Sequence, residues 1–189
     1  MEALLQDIKK CTICKDFLPL EPRPVMSAGK KSKIVIIGQA PGIKVHNTGI
    51  AWNDPSGKQL RKWLNVTDKQ FYNTDNFAIV PMGFCYPGKG KSGDLPPRPE
   101  CAPQWHQKLF NEMDQVKLVL LIGKYAQDYY LKDKAGRNLT ETVKNYKAYL
   151  PKYLPLPHPS PRNRFWLAKN PWFEAEIIPQ LQAIVKQFL

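Results

Sequence analysis

Continuous aliphatic runs recur along the chain, and each is followed by a glycine, a proline or a polar turn. The runs are KIVIIG from Lys33, FAIVPM from Phe77 and VKLVLLIG from Val116. Apolar residues at every position, rather than at every second one, are typical of a strand that is covered on both faces of a sheet. YLPLP from Tyr153 predicts a shorter fourth strand.

The segments between these runs show the apolar spacing of helices. LLQDIKK predicts a short opening helix, and PSGKQLRKWL places Leu60, Trp63 and Leu64 on one helix face. Further helices are predicted after Cys101, in KYAQDYYL, in LTETVKNYKAYL and in the closing WFEAEIIPQLQAIVKQFL, where Pro179 predicts a kink. Strands that alternate with helices indicate an α/β fold whose parallel sheet is covered on both faces.

The loops that follow the predicted strands hold the polar residues. We expect a polar loop between Gly42 and Asp54 and a Gly/Pro-rich loop from Phe84 to Pro99. Ligands of parallel sheets bind beyond the carboxyl ends of the strands, so we expect one site at that edge. Its segments are Gln39–Gly42, Phe84–Gly88, Gly123 and His158–Asn163.

Length and charge narrow the class of protein. A chain of 189 residues fits one domain, expected over residues 1–189, and can bury a core without disulfide or metal staples. Acidic residues in MEALLQDIKK and the lack of a long apolar run lead us to expect a cytoplasmic protein without membrane association. We also expect a monomer. Lys and Arg outnumber Asp and Glu by 28 to 16, which favours a polyanionic partner but does not indicate a chemistry.

The four cysteines form two pairs. Cys11 and Cys14 make a C-x2-C pair, fifteen residues separate Cys85 from Cys101, and no cysteine is left over. An intracellular chain keeps its thiols reduced, so the set favours a metal or cluster over disulfides. A zinc ribbon has C-x2-C at both ends, whereas four-thiolate ligation of a four-iron cluster tolerates long separations. Zinc remains an alternative, as do four unrelated buried cysteines.

Two turns at the expected site carry candidate chemistry. In GQAPG, after the first strand, the glycines let the backbone approach a ligand closely, although such a turn occurs in many α/β folds. In HPSPRN, after the last strand, two prolines stiffen the loop and His158 is able to donate to charge on a substrate oxygen. Arg162 and Arg164 add phosphate-binding capacity. The alternative is a surface loop in which His158 only packs or caps.

These motifs together resemble the iron-sulfur uracil-DNA glycosylases, families four and five of their superfamily. C-x2-C, GQAPG, TGIAWNDPSG, CYPG and HPSPRN occur in the family's order between Cys11 and Asn163. The resemblance implies a three-layer α/β/α sandwich with a central four-stranded parallel sheet. It implies a DNA repair enzyme that flips a deaminated base, uracil or a related one, out of DNA and hydrolyses its N-glycosidic bond. It also implies a 4Fe-4S cluster on the four cysteines.

The resemblance assigns roles to three side chains. Trp52 would stack on the flipped base, although a Trp is more commonly core packing. Asp54 would supply negative charge or orient a water near the sugar, although Asp before Pro55 is also a favourable helix start. His158 would polarise an oxygen of the departing base.

Further residues are assigned to the pocket and to DNA contact. We expect the base to meet Gly38, Ala40 and Met82, and the DNA to meet Ser56, Ser160, Pro161, Arg162 and Asn163. No lysine lies in a matched catalytic motif to form a Schiff base, so the enzyme is expected to be monofunctional.

The sequence departs from the family at two positions. Gln39 replaces an acid that some relatives carry in the first turn; it cannot act as a base, but its amide is able to position a water. Pro81 stands where the iron-sulfur enzymes have an Asn that reads the uracil edge. These changes leave the excised base open. They also keep two alternatives: a non-catalytic DNA-binding module on the same fold with a structural metal site, and a zinc-bound interaction domain.

Overall fold

A four-stranded parallel sheet lies at the centre of the fold. A computed structural model describes residues 1–189. The strands are β1 (Ile34–Ile37), β2 (Phe77–Ile79), β3 (Leu118–Ile122) and β4 (Tyr153–Leu156). Their spatial order is β2, β1, β3, β4, and every neighbouring pair is parallel. The four predicted strands are confirmed, and β1 and β3 occupy the two central positions, where both faces must be covered.

Nine α-helices surround the sheet. They are α1 (Glu2–Lys9), α2 (Ile43–Thr48), α3 (Pro55–Leu64), α4 (Asp68–Phe71), α5 (Gln107–Glu112), α6 (Lys124–Leu131), α7 (Leu139–Lys144), α8 (Arg164–Lys169) and α9 (Ile178–Phe188). None of these helices is both long and apolar enough to cross a membrane.

Two apolar layers enclose the sheet, one on each face. Ile34 and Ile36 of β1 belong to the layer that contains α3, α4, α7 and α9. Val35 and Ile37 belong to the opposite layer, with α1, α5 and α6. Successive side chains of a strand point to opposite faces, so an uninterrupted aliphatic run serves both layers. This is the expected three-layer α/β/α sandwich.

Three segments differ from the sequence-based predictions. The polar loop expected after Gly42 contains α2, which ends at Gly49 in a left-handed conformation with φ of 69°. Glycine is common just after the last residue of a helix, so Gly49 is the feature of the sequence that indicates the end of α2. The helix expected over LTETVKNYKAYL stops at Lys144, and the 3₁₀ turn Tyr146–Tyr149 then buries Tyr146 in the core.

The closing helix is irregular near Pro179. Residues Phe173–Ile177 form a π-helical turn that leads into α9, where Pro179 lies in the first turn. Proline has no N–H and its ring clashes with the carbonyl four residues earlier, which a wide turn relieves. Where the sequence predicts a kink, the structure thus changes from a π-helical turn to an α-helix.

A buried histidine bridges the layer of α5 and α6 to the segment after β2. His106 is 2% exposed, and its ring stacks on Phe84. Its Nε2 lies 3.1 Å from the Pro81 carbonyl oxygen, which only accepts, so Nε2 carries the proton. Its Nδ1 lies 2.7 Å from the Tyr130 hydroxyl and accepts from it. Desolvation by burial lowers the pKa of His106 to about 4.

The buried histidine predicts a loss of stability in acid. Between pH 6.5 and 4 the unfolded chain binds a proton at His106 that the folded chain excludes, so the free energy of unfolding falls as pH drops. We expect a loss of up to about 3 kcal/mol over that range. Urea unfolding at several pH values measures it. His106→Gln should be less stable at neutral pH but show a shallower pH dependence, and identical slopes for the two proteins would contradict the assignment.

Candidate active site

A pocket opens beyond the carboxyl ends of β1, β2 and β4. It encloses about 420 Å³ between the surrounding atoms, including its open mouth. Six residues singled out from the sequence line it together: Gly38, Gln39, Ala40, Trp52, Asp54 and His158. The residues that the sequence did not single out are mainly apolar wall residues, with Val25, Val45, Ala51 and Ile79 among them.

The GQAPG turn is held against the segment that follows β2. The Gly38 carbonyl accepts from the Met82 amide at 2.9 Å, and the Gln39 carbonyl accepts from the Gly83 amide at 3.0 Å. This continued ladder turns Pro81 toward the pocket and Met82 into the core, where it is 7% exposed. The expected contact of Met82 with the base therefore does not fit its position, and Pro81 forms that part of the wall.

Trp52 occupies a strained position between the pocket and the core. Its φ is 56°, a left-handed conformation that bulky residues rarely adopt. A Cβ on Gly38 would lie 2.8 Å from the indole, and a Cβ on Gly57 would lie 1.7 Å from the Trp52 carbonyl oxygen. The indole packs on the α3 layer and meets the His158 ring at a centroid distance of 5.6 Å. Both expected roles of Trp52, core packing and pocket wall, are thus compatible with one placement.

Asp54 begins α3 and also lines the pocket. Its Oδ1 accepts from the Gly57 amide at 2.7 Å, and Pro55 takes the first helical position. The helix-start interpretation is therefore confirmed. The cap uses one carboxylate oxygen, and the side chain still borders the cavity. Asp54 is thus a negative charge whose position is fixed by the helix.

His158 is held in place by its own loop. Asn163 Nδ2 donates to the His158 carbonyl at 2.7 Å, and Ser160 Oγ accepts from the Arg162 amide at 3.2 Å. Desolvation by burial lowers the pKa of His158, and the charge of Asp54 opposes this only in part. The ring is therefore neutral at pH 7 and presents an N–H as a hydrogen-bond donor.

The residues assigned to DNA contact differ in their exposure. Pro161 and Arg162 are exposed, Ser160 and Asn163 are half-buried, and Ser56 is buried in the first turn of α3. Because Asn163 binds the His158 carbonyl, its amide orients the loop.

Arg162 contacts a hairpin that lies within the predicted Gly/Pro-rich loop from Phe84 to Pro99. The hairpin pairs Lys89–Gly90 with Gly93–Asp94, and Arg162 Nη1 donates to the Ser92 carbonyl at 3.1 Å. A Cβ on Gly93 would lie 2.5 Å from that nitrogen. Two residues between closely spaced glycines are a hairpin signal, and it was available in GKGKSG.

The four cysteines line one small cavity, which measures about 320 Å³ between the surrounding atoms when its opening to solvent is included. Its other walls are Leu18, Pro22, Pro24, Phe84 and Arg98. No three Cys, His, Asp or Glu side chains are arranged around a single ion. Beside the thiols, Cys14 Sγ donates to Glu100 Oε2 at 3.6 Å, and Arg98 Nε donates to the same carboxylate oxygen at 3.1 Å.

Burial keeps the thiols of Cys85 and Cys101 protonated when no cation is bound. Desolvation raises the pKa of Cys85 to about 11 and that of Cys101 to about 12. A bound metal reverses this balance, because a coordinating thiol loses its proton.

The contact between Gly57 and Trp52 gives a testable prediction. Gly57→Ala places a methyl group inside the Trp52 carbonyl, so the backbone must shift at the start of α3. We expect a loss of about 2 to 4 kcal/mol in the free energy of unfolding, measured in urea. The matched control is Lys58→Ala at the adjacent exposed position, which should change stability by less than about 0.5 kcal/mol. Equal stability of the two variants would contradict the packing.

The pocket and fold agree with a family comparison. The family model of the uracil DNA glycosylase superfamily matches residues 26–182, which include the whole sheet and every residue of the pocket except Val25. The match includes Cys85 and Cys101 and begins after Cys11 and Cys14. The chain therefore belongs to the uracil DNA glycosylase superfamily.

Proposed function

We propose that this protein is a monofunctional DNA glycosylase that hydrolyses the N-glycosidic bond of uracil or a related deaminated base. Proteins of this superfamily act on DNA, and DNA is accordingly the partner class. The observation that carries the proposal is the convergence of Gln39, Trp52, Asp54 and His158 in one pocket. A base in a duplex must be flipped out to reach such a pocket.

The pocket residues suit the separate demands of the reaction. The sugar develops positive charge as the bond breaks, and the fixed carboxylate of Asp54 stabilises it. The departing base develops negative charge, and the neutral ring of His158 donates a hydrogen bond to its oxygen. The indole of Trp52 offers a face on which a base stacks, worth about 1 to 3 kcal/mol.

The pocket reads the base edge mainly through the GQAPG turn. Pro81 has no N–H, and its carbonyl already accepts from buried His106. The wall at Pro81 therefore offers the base a surface to pack against but no hydrogen-bond donor. Gln39 is the amide side chain in the pocket, with both a donor and an acceptor, and it serves to read the base edge or to position a water. This supports a tolerance for several deaminated bases.

The HPSPRN loop is the proposed DNA-gripping element. Pro161 and Arg162 are exposed beside the pocket, and Arg164 follows at the start of α8. Arginine binds phosphates strongly, and a stiff loop is able to fill the gap that the flipped base leaves. The net charge of +12 favours the approach of DNA.

A 4Fe-4S cluster is the cofactor that best fits the cysteine cavity. Four thiols line it, which is a donor set for soft metals. The spacing of the cysteines favours a cluster over zinc, because a zinc ribbon has C-x2-C at both ends and only Cys11 and Cys14 have that spacing. Cys11, Cys14, Cys85 and Cys101 would hold it, and its role would be to join the N-terminal segment to the loop after β2. The cavity lies outside the pocket lining, so the proposed hydrolysis does not pass through the cluster.

The activity is tested with oligonucleotides that carry uracil, hypoxanthine or xanthine, single- and double-stranded. We expect abasic product from at least one of them, with strand scission only after alkali. His158→Ala should lower the single-turnover rate by about 10² to 10³ because the base anion loses its donor. His46→Ala is the matched control, since His46 does not line the pocket, and it should retain the parent rate.

Retained DNA binding with no product from any base would instead support a non-catalytic DNA-binding module, which the Gln39 and Pro81 positions allow. Equal rates for the parent protein and His158→Ala would contradict the role given to His158.

The cluster predicts a brown protein. Anaerobically purified chain should contain iron and sulfide and absorb broadly in the visible range, and Cys85→Ser should lose both. Thr12→Ser, in the C-x2-C loop between Cys11 and Cys14, is the matched control and should keep them. A colourless parent protein with one zinc per chain would overturn the cluster in favour of zinc.

A further inference from the structure

The Lys89–Asp94 hairpin lies beside two of the loops that follow the strands of the sheet. At its tip, the Ser92 carbonyl accepts from Arg162 of the HPSPRN loop at 3.1 Å. At its end, Asp94 Oδ2 would lie 3.3 Å from a Cβ on Gly42, the last residue of the GQAPG turn. The hairpin therefore contacts both loops that frame the pocket, and it places a carboxylate beside one of them.

The Asp94 carboxylate is unused by the fold. It forms neither a hydrogen bond nor a salt bridge in the protein, whereas Asp54 gives an oxygen to the α3 cap. Glycine at position 42 leaves room for it, because any side chain there would press on its oxygen. Asp94 is exposed beside Gly42, a residue of the pocket lining, so its carboxylate is available to accept a hydrogen bond from water.

The charges around Asp94 adjust its basicity. Desolvation raises the pKa of Asp94, the cation of Arg162 lowers it, the anion of Asp54 raises it and Lys89 lowers it. Tyr86 is the other titratable neighbour, and the charge of Asp94 helps to raise its pKa after the larger effect of desolvation. The net effect on Asp94 is upward, which is the direction that makes a carboxylate a better general base near neutral pH.

We propose that Asp94 is a second catalytic carboxylate, which holds and deprotonates the attacking water while Asp54 stabilises the charge on the sugar. The inference rests on the proposed glycosylase function. In this protein Asp94, which is distant from Gln39 in the chain, would take the place of the acid that some relatives carry in the first turn. Two carboxylates with separate tasks are a recurring solution for hydrolysis of glycosidic bonds.

The step balances in atoms and electrons. The water oxygen forms a bond to C1′ of the deoxyribose as the bond from C1′ to the base nitrogen breaks. The electron pair of the broken bond leaves with the base, whose oxygen accepts from His158. One water proton passes to Asp94 and then to solvent, and the base anion takes a proton from solvent. The products are the free base and an abasic sugar with a hydroxyl at C1′.

Asp94→Asn tests this role because the amide keeps the shape of the side chain but cannot accept a proton from water. With protein in excess over a base-containing oligonucleotide that the parent cleaves, we expect the single-turnover rate to fall at least about 10²-fold. DNA affinity should stay equal or rise slightly, since a negative charge is lost. The parent rate should fall with decreasing pH as Asp94 is protonated, and Asp94→Asn should lose that dependence.

Asp75→Asn is the matched control. Asp75 is exposed just before β2, at the opposite edge of the sheet, so this variant should keep both the parent rate and the parent pH profile. Circular dichroism and thermal unfolding check that both variants are folded.

The outcomes separate this inference from the function on which it rests. A parent protein that cleaves while Asp94→Asn cleaves within threefold of its rate overturns the role of Asp94 and leaves the glycosylase intact. Weaker DNA binding at an unchanged saturated rate also overturns it, because Asp94 would then only position Arg162. A parent protein without activity on any base overturns both.

Discussion

The close packing of Trp52 between Gly38 and Gly57 is the constraint on which the pocket depends. Gly38 follows the first strand and meets the indole, and Gly57 in the first turn of α3 meets the carbonyl and Cβ of the same residue, so Trp52 joins the sheet to a helix. The same helix start is capped by Asp54, and the indole meets the ring of His158. Three candidate functional side chains are thus positioned by one contact that excludes any larger residue at either glycine. The left-handed backbone of Trp52 is a cost that this packing offsets.

A second set of contacts connects the cysteine cavity to the pocket wall. Cys101 precedes the π-helical turn Ala102–His106, and His106 binds the Pro81 carbonyl from within the core. Phe84 lines the cysteine cavity and stacks on the same imidazole. A metal group held by the cysteines would therefore stabilise the segment that shapes the base pocket, without contact with the substrate. A structural role of this kind is consistent with a pocket whose chemistry comes from side chains.

Residues of opposite charge meet beside the pocket. Arg162 of the HPSPRN loop donates to the Ser92 carbonyl of the hairpin, and the hairpin's Asp94 lies beside Gly42 of the first turn. Clustered opposite charges of this kind attract the phosphate backbone and retain a negative charge where the sugar becomes positive.

Local sequence alone predicted the four strands, the double-sided sheet, the helix start at Asp54 and the two turns of the pocket, because periodicity and capping act between near neighbours in the chain. It also identified the four cysteines that share a cavity. Only the tertiary structure decided that Met82 does not line the pocket beside Pro81, since the register of the segment after β2 determines which side chain faces the ligand. The contact of Arg162 with Ser92 and the placement of Asp94 near Gly42 were likewise invisible, because long-range packing brings these segments together and no local pattern encodes it.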